Sequence, residues 1–215
     1  LKAIFLHSVN NYSISGNTIQ GVSSAAAVAA AGIAITGNSS NGTITKNRIA
    51  DVKQTSTSGS STGIYLASML NGSATTVANN FIWDIASNGS STLANNGSGI
   101  YVGYGGGYSI YYNSVDMQTN ATAANSISAA IVIAGSVTFP NGLNIRNNIF
   151  SNTTTVGSRY SIYCASTAAV FSNIDYNDYY SGASTLLGYL SGNKVNLGEW
   201  QAATGKDNKS MSINP

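Results

Sequence analysis

The chain is 215 residues long, enough for one large domain or two small ones, and its 43% apolar residues can build a core. Only 7% of residues are charged, against about 25% in an ordinary soluble domain, so the polar surface must come from Asn, Ser, Thr and Gly. A net charge of +2 without a basic run excludes nucleic-acid binding by phosphate neutralisation; one His and one Cys exclude a Cys/His metal cluster and an intrachain disulfide; no apolar run has the length of a membrane span.

The chain opens on "LKAIFLHS", which reads as the middle of a strand. No signal peptide is visible there, and the opening suggests a piece of something larger. Within it, AIFL (3–6) is a small residue, an Ile, a free position and an apolar residue. Alternation of this kind predicts a short strand with the second and fourth residues facing a core. His7 follows that strand, with no carboxylate near it in sequence, and is expected outward and non-catalytic. Next comes the hexad ISGNTI (14–19), an Asn between apolar residues, and then a low-complexity stretch, "VSSAAAVAAA".

The same order then repeats. GIAI (32–35) precedes ITKNRI (44–49); GIYL (63–66) precedes VANNFI (77–82); GIYV (99–102) precedes IYYNSV (110–115). AIVI (130–133) precedes IRNNIF (145–150), and SIYC (161–164) precedes IDYNDY (174–179). The central residues are Asn17, Asn47, Asn80, Asn113, Asn148 and Asn177, at spacings of 30, 33, 33, 35 and 29. Each unit therefore reads as strand, turn, strand, Asn bend, strand and long loop. Asn tolerates the left-handed conformation of a tight bend, and its carboxamide can bond to the next Asn in a stack. Dense Gly, Asn, Ser and Thr without a 3.6 period exclude a helical repeat. Three short strands cannot bury their apolar face alone, but stacked coils can. With a right-handed crossover favoured, the expected fold is all-β: a right-handed parallel β-helix (solenoid) of about six coils with an asparagine ladder.

Residues 1–182 are expected to form the coils, with long loops on one side, and residues 183–215 a closing segment packed on the last coil. "GYGGGY" (103–108) lacks the context of a phosphate loop and reads as a turn before the second strand.

These repeats resemble the pectate-lyase-like superfamily of right-handed parallel β-helices, which hosts lyases, hydrolases, adhesins and phage fibres. The stretch 177–215 resembles the closing segment of large secreted or surface β-helix proteins of Bacteroidetes-type bacteria. It carries Asn-Asp-Tyr-Tyr, then Leu197, Trp200, Gln201, Thr204, Gly205 and Asp207, then Ser210 and Pro215. In that family a Phe usually follows the Pro and a further module comes after. The resemblance thus implies a secreted or cell-surface bacterial location, and flanking modules of the same larger chain as partners.

Carbohydrate chemistry on such a fold needs clustered carboxylates: two, roughly 5–9.5 Å apart, for glycoside hydrolysis. Asp51 and Asp84 each lie four residues after a repeat Asn, and Asp116 is displaced by one, with Arg48 and Lys53 nearby. These three are the catalytic candidates, weighed against Asp as a turn-capping residue. Asp175 and Asp178 flank Asn177 and read as structural, and Cys164 reads as a small core residue.

The outward position of the first strand runs Phe5, Ala34, Tyr65, Tyr101, Val132 and Tyr163. A row of aromatic rings suits sugar stacking, so Tyr65, Tyr101 and Tyr163 are the candidate ligand-binding residues. The alternative is that such cross-strand aromatics only stabilise the sheet. No metal or other cofactor is expected; Ca²⁺ would need several carboxylate ligands, a set the sequence does not indicate. The favoured function is a non-catalytic module for adhesion, display or structural extension that contacts a glycan or a cell surface, without membrane insertion or nucleic acid. The rival is a polysaccharide lyase or glycoside hydrolase with a carboxylate site on stacked coils.

Overall fold

Alternating residues make strands here because Ile and Val on one pleat face can be buried while Ser, Thr and Asn on the other meet water. The computed structural model describes residues 1–182 and 184–215. Residue 183, where the closing segment is expected to begin, lies outside the described residues. The chain winds into a parallel β-solenoid of about six turns.

The first sheet stacks Lys2–His7, Ala30–Gly37, Ser61–Ser68, Gly97–Tyr104, Ile127–Ile133 and Ser158–Cys164, and ends on Gly188–Leu190. The second stacks Ser13–Ser15, Thr43–Thr45, Thr75–Ala78, Tyr108–Tyr111, Leu143–Arg146 and Phe171–Asp175. The third stacks Thr18–Ile19, Arg48–Ile49, Phe81–Trp83, Ser114–Met117, Ile149–Asn152 and Asp178–Tyr180. Each strand pairs in parallel with its counterpart one coil away. Ile33, Ile64, Ile100, Ile131 and Ile162 therefore form one buried row. Ile44, Val77, Ile110, Ile145 and Ile174 form a second, and Ile49, Ile82, Val115, Phe150 and Tyr179 a third. Each such side chain contributes about 1.5–3 kcal/mol by leaving water, which is how a chain with so few charges stays folded.

The bend between the second and third sheets carries the asparagine ladder. Asn17 Nδ2 donates to Asn47 Oδ1 at 2.9 Å, and Asn47, Asn80, Asn113 and Asn148 each donate to the next at 2.9–3.0 Å. The Nδ2 atoms of Asn47, Asn80, Asn113 and Asn148 also reach a backbone carbonyl of the preceding coil, as Asn113 does to Val77 at 2.9 Å. Each acceptor Oδ1 also takes the backbone N–H of the preceding Asn at 3.0–3.1 Å. The left-handed conformation falls not on the ladder Asn, as expected, but on the residue before it. Gly16, Lys46, Asn79, Tyr112, Asn147 and Tyr176 take φ between 55° and 70°. A non-glycine residue there costs about 1–2 kcal/mol, so backbone preference does not make this bend; the carboxamide network holds it.

The segments after the first three hexads do not leave the coil at once. Val22–Ser24, Val52–Gln54 and Ile85–Ser87 form a fourth short parallel sheet, because Val22, Val52 and Ile85 still find the core. Only then do loops depart, all at the corner before the next strand of the first sheet. Several are pinned by a buried amide: Gln54 to the carbonyls of Ala26 and Val28, Asn96 to those of Ser90 and Thr92, and Asn152 to those of Ser128 and Tyr160.

The small first residue of the strand motif is a packing requirement. A Cβ on Gly99 would lie 2.1 Å from Val115 Cγ1 and 2.7 Å from the Ala130 carbonyl oxygen; Gly32 and Gly63 stand against Ile49 and Ile82 in the same way. Gly99→Ala is expected to cost about 1–3 kcal/mol by overpacking, measured by urea unfolding. An unchanged midpoint would mean the third sheet moves aside freely.

At the C-terminal end the first and third sheets gain a further partner. Asn193–Lys194 folds back antiparallel on Gly188–Leu190, and Met211 bridges Asp178. Ser210 Oγ accepts from Asn177 N at 2.8 Å, where a seventh ladder Asn would otherwise sit. An α-helix, Leu197–Thr204, capped by Asn196 at one end and by left-handed Gly205 at the other, lowers Trp200 onto the last coil. Trp200 Nε1 donates to Asp207 Oδ2 at 2.6 Å, and Tyr179 Oη donates to the same oxygen at 2.7 Å. Asp175 and Asp178 accept from the backbone N–H groups of Lys209 and Ile213, so both serve this cap. Among the described residues no helix is long and apolar enough to cross a membrane.

Candidate functional site

The outward row of the first sheet stands in register as its spacing predicts: Phe5, Ala34, Tyr65, Tyr101, Val132 and Tyr163, continued by Tyr189. Its middle is closed. Val132 is buried with Ala129 and Tyr160, and Leu93 and Leu186 pack against that cluster. The row therefore divides into two groups. Tyr163 lies flat on Tyr189 with centroids 4.3 Å apart and meets Tyr160 edge-on at 5.1 Å. Burial, with the neighbouring Tyr189 and Tyr160 phenols, pushes the Tyr163 phenol up to about 12. That group is a packed aromatic cluster.

The other group is open. Tyr65 and Tyr101, 5.7 Å apart, line a cleft of about 350 Å³ with Lys2, Phe5, Ala29 and Ala94. Thr36, Ser60 and Thr62 add hydroxyl groups to this mostly apolar lining. Burial raises both phenols above their ordinary value, so both are neutral hydroxyls at pH 7, able to donate and to accept. An apolar lining with a few polar groups in a space of this size suits a small ring such as a sugar unit.

Of the three candidate carboxylates, Asp51 and Asp84 fall at equivalent positions of adjacent coils, and Asp116 stands apart from them. Asp51 and Asp84 occupy the second bend, between the third and fourth sheets, with φ of 52° and 54°; Gly21 is their counterpart one coil earlier, at 72°. A short polar side chain tolerates that conformation, which accounts for the shared spacing. Asp84 is paired with Lys53 and also accepts from Thr119. Burial would raise its carboxyl, but those two donors and the Lys53 charge hold it below the usual carboxylate range. It is thus a poor proton donor at neutral pH. Asp116 points from the outer face of the third sheet, in register with Trp83 rather than Asp84, and accepts from Ser151 at 3.0 Å. Arg48 lies on that same face.

His7 is exposed and bonds through Nδ1 to Thr36 Oγ1 at 2.9 Å. Cys164 is buried below Ile133 and Val102, its thiol pushed up by burial to about 12, so it is unreactive. "GYGGGY" is a turn bonded between coils: Gly106 accepts from Ser73 and Gly107 donates to Gly142. Among the described residues no group of three or more His, Cys, Asp or Glu could hold a metal ion. Comparison of the chain with protein-family models, with curated proteins and with solved structures finds no match.

A second outward aromatic pair lies on the third sheet, the face that carries Asp116. Phe81 and Trp83 project outward from one strand with rings stacked 4.6 Å apart, and Phe81 is 43% exposed. The Arg48 guanidinium sits 5.9 Å from the Trp83 ring. Phe81 occupies the free fifth position of the hexad VANNFI. Comparing that column across repeats (Thr18, Arg48, Phe81, Ser114, Ile149, Asp178) would have singled it out.

Proposed function

We propose that this chain is a non-catalytic module of a large secreted or cell-surface bacterial protein, related to the pectate-lyase-like β-helices. Its role is adhesion, display or structural extension, with glycan contact in the Tyr65–Tyr101 cleft. One observation carries the reading: six of the seven acidic side chains accept hydrogen bonds within the fold, and the seventh, Asp51, stands exposed without such a partner among the described residues. Asp84 is held by Lys53 and Thr119, Asp116 by Ser151, and Asp175, Asp178 and Asp207 by the C-terminal cap. A lyase or hydrolase would need an acid and a base free to face one sugar.

The N-terminal coil supports the partner assignment. Its strand Lys2–His7 pairs on one side only, Phe5 is 52% exposed, and Asn17 Oδ1 receives no hydrogen bond among the described residues. A flanking module of the same larger chain would cover that edge, as the cap covers the other.

The test is a glycan microarray probed with the purified chain. Binding is expected, and Tyr101→Ala, which leaves the coil core intact, should weaken it about tenfold. Release of unsaturated or reducing sugar from a polysaccharide, abolished by Asp84→Asn, would establish the enzymatic rival instead. Binding unaffected by Tyr101→Ala would remove the cleft from the proposal.

A further inference from the structure

The outer face of the third sheet carries a second aromatic feature, independent of the tyrosine cleft. Elsewhere on this face most outward positions are polar, Thr18, Ser114, Ser151 and Asp178 among them, with Ile149 and Tyr180 the exceptions. The third coil breaks that pattern with two large rings on one three-residue strand. Phe81 and Trp83 are two positions apart on the same strand, so their contact joins no two coils and does not serve the cross-strand stabilisation that explains Tyr163 on Tyr189. Holding Phe81 in water has no role in packing, since the core beneath is closed by Ile82.

What surrounds the rings is specific. Arg48 stands on one side, on the adjacent strand, with its guanidinium against Trp83. Asp116 stands on the other, on the next strand, in register with Trp83. Ser151 uses part of the Asp116 acceptor capacity and leaves the rest for an incoming hydroxyl. A cleft of about 340 Å³, within the range of small-molecule sites, adjoins the rings on the Phe81 and Asp116 side; Ser114, Ile149, Ser151 and the C-terminal Asn214 and Pro215 line most of the rest of it, and Trp83 and Arg48 stand beside it. A donor resting against the Trp83 ring and an acceptor held by Ser151, flanking an aromatic surface, complement a neutral polyol, whose hydroxyls both give and accept. A charged ligand would meet one of the two unfavourably. A protein partner is disfavoured by size, because a stable interface takes about 20–30 residues a side and this patch offers a handful.

We propose that Phe81 and Trp83 form a stacking platform for a pyranose ring of a neutral glycan, with Arg48 and Asp116 bonding its hydroxyls. The platform rests on the glycan-contact reading for its ligand class, but not on the tyrosine cleft for its site.

Trp83 and Trp200 are the two tryptophans, and Trp200 is fully buried, so intrinsic fluorescence reports the platform. The experiment titrates the chain with neutral pentasaccharides of glucose, xylose, mannose and galactose. At least one should shift or quench the emission saturably. Phe81→Ala and Asp116→Ala should each weaken that binding about tenfold, Trp83→Ala should abolish it by calorimetry, and Tyr101→Ala should leave it unchanged. Asp116→Ala keeps both rings and so separates lost recognition from lost folding. The proposal is overturned if no pentasaccharide changes the emission, or if binding survives Trp83→Ala. It is also overturned if sedimentation shows a dimer that Trp83→Ala dissolves, since the occupant would then be a second copy. Loss with Tyr101→Ala alone would favour the cleft and reject the platform.

Discussion

Asn113→Ala is expected to lower the unfolding free energy by about 3–5 kcal/mol, far more than a surface substitution in a loop. Asn113 Oδ1 accepts both the backbone N–H of Asn80, at 3.1 Å, and its Nδ2, at 2.9 Å. Its own Nδ2 donates to Asn148 and to the Val77 carbonyl. All of these atoms are buried, so alanine leaves two donors without an acceptor, each costing about 1–3 kcal/mol. It also removes the clamp on the left-handed turn at Tyr112, φ 55°. Asn113→Asp should be as damaging, because a carboxylate keeps the acceptor but cannot donate to Asn148 Oδ1. Asn17→Ala, at the half-exposed end of the ladder, should cost markedly less. Urea unfolding of the three variants checks this order. Equal costs at Asn17 and Asn113 would mean that the ladder adds little beyond the local turn.

The coil was legible because it rests on repetition. Two motifs in fixed order, six times over, place the inward rows, the ladder and the outward row Phe5 to Tyr163 in register. What repetition does not carry was harder. The left-handed residue of the bend is Gly, Lys, Asn or Tyr in turn, so no residue type announces it. The fourth sheet stops after three coils; in the next two the third-sheet strand runs on to Met117 and Asn152 instead of bending. The helix at Leu197–Thr204 is a single event, yet its signals were there: Asn196 accepting from Glu199 N at 3.0 Å, Glu199 reaching back to Val195 N, and Gly205 to stop it. For the candidate site, spacing brought Asp51 and Asp84 to equivalent positions but could not say that Lys53 would occupy one of them. Nor could spacing show that Leu93 and Leu186 would pack against the cluster of Ala129, Val132 and Tyr160 and leave Phe81 and Trp83 in the open.

The C-terminal cap sets the second large effect. Trp200→Ala is expected to cost about 3–5 kcal/mol, but with a different footprint from the ladder variant. Trp200 is fully buried, 6.4 Å from the Phe171 ring and 6.3 Å from that of Tyr179, and a Cβ on Gly188 would touch it at 2.9 Å. Removing it opens a cavity over the last coil and takes one donor from Asp207. That carboxyl is already raised above the usual range by burial, despite its Ser210, Tyr179 and Trp200 donors. The Asp207 network also holds Ser210 against Asn177, so the last rung of the ladder should loosen with the cap. In a solenoid each coil contacts only its neighbours, so the damage should be confined to one end. Hydrogen exchange is expected to speed up at the amides of Phe171–Tyr180 and Gly188–Leu190 while those of Ala30–Gly37 keep their protection. Asn113→Ala, in the middle of the stack, should instead weaken coils on both sides of itself. Uniform loss of protection in Trp200→Ala would show that the coils unfold as one unit, and that the cap guards the whole column rather than its end.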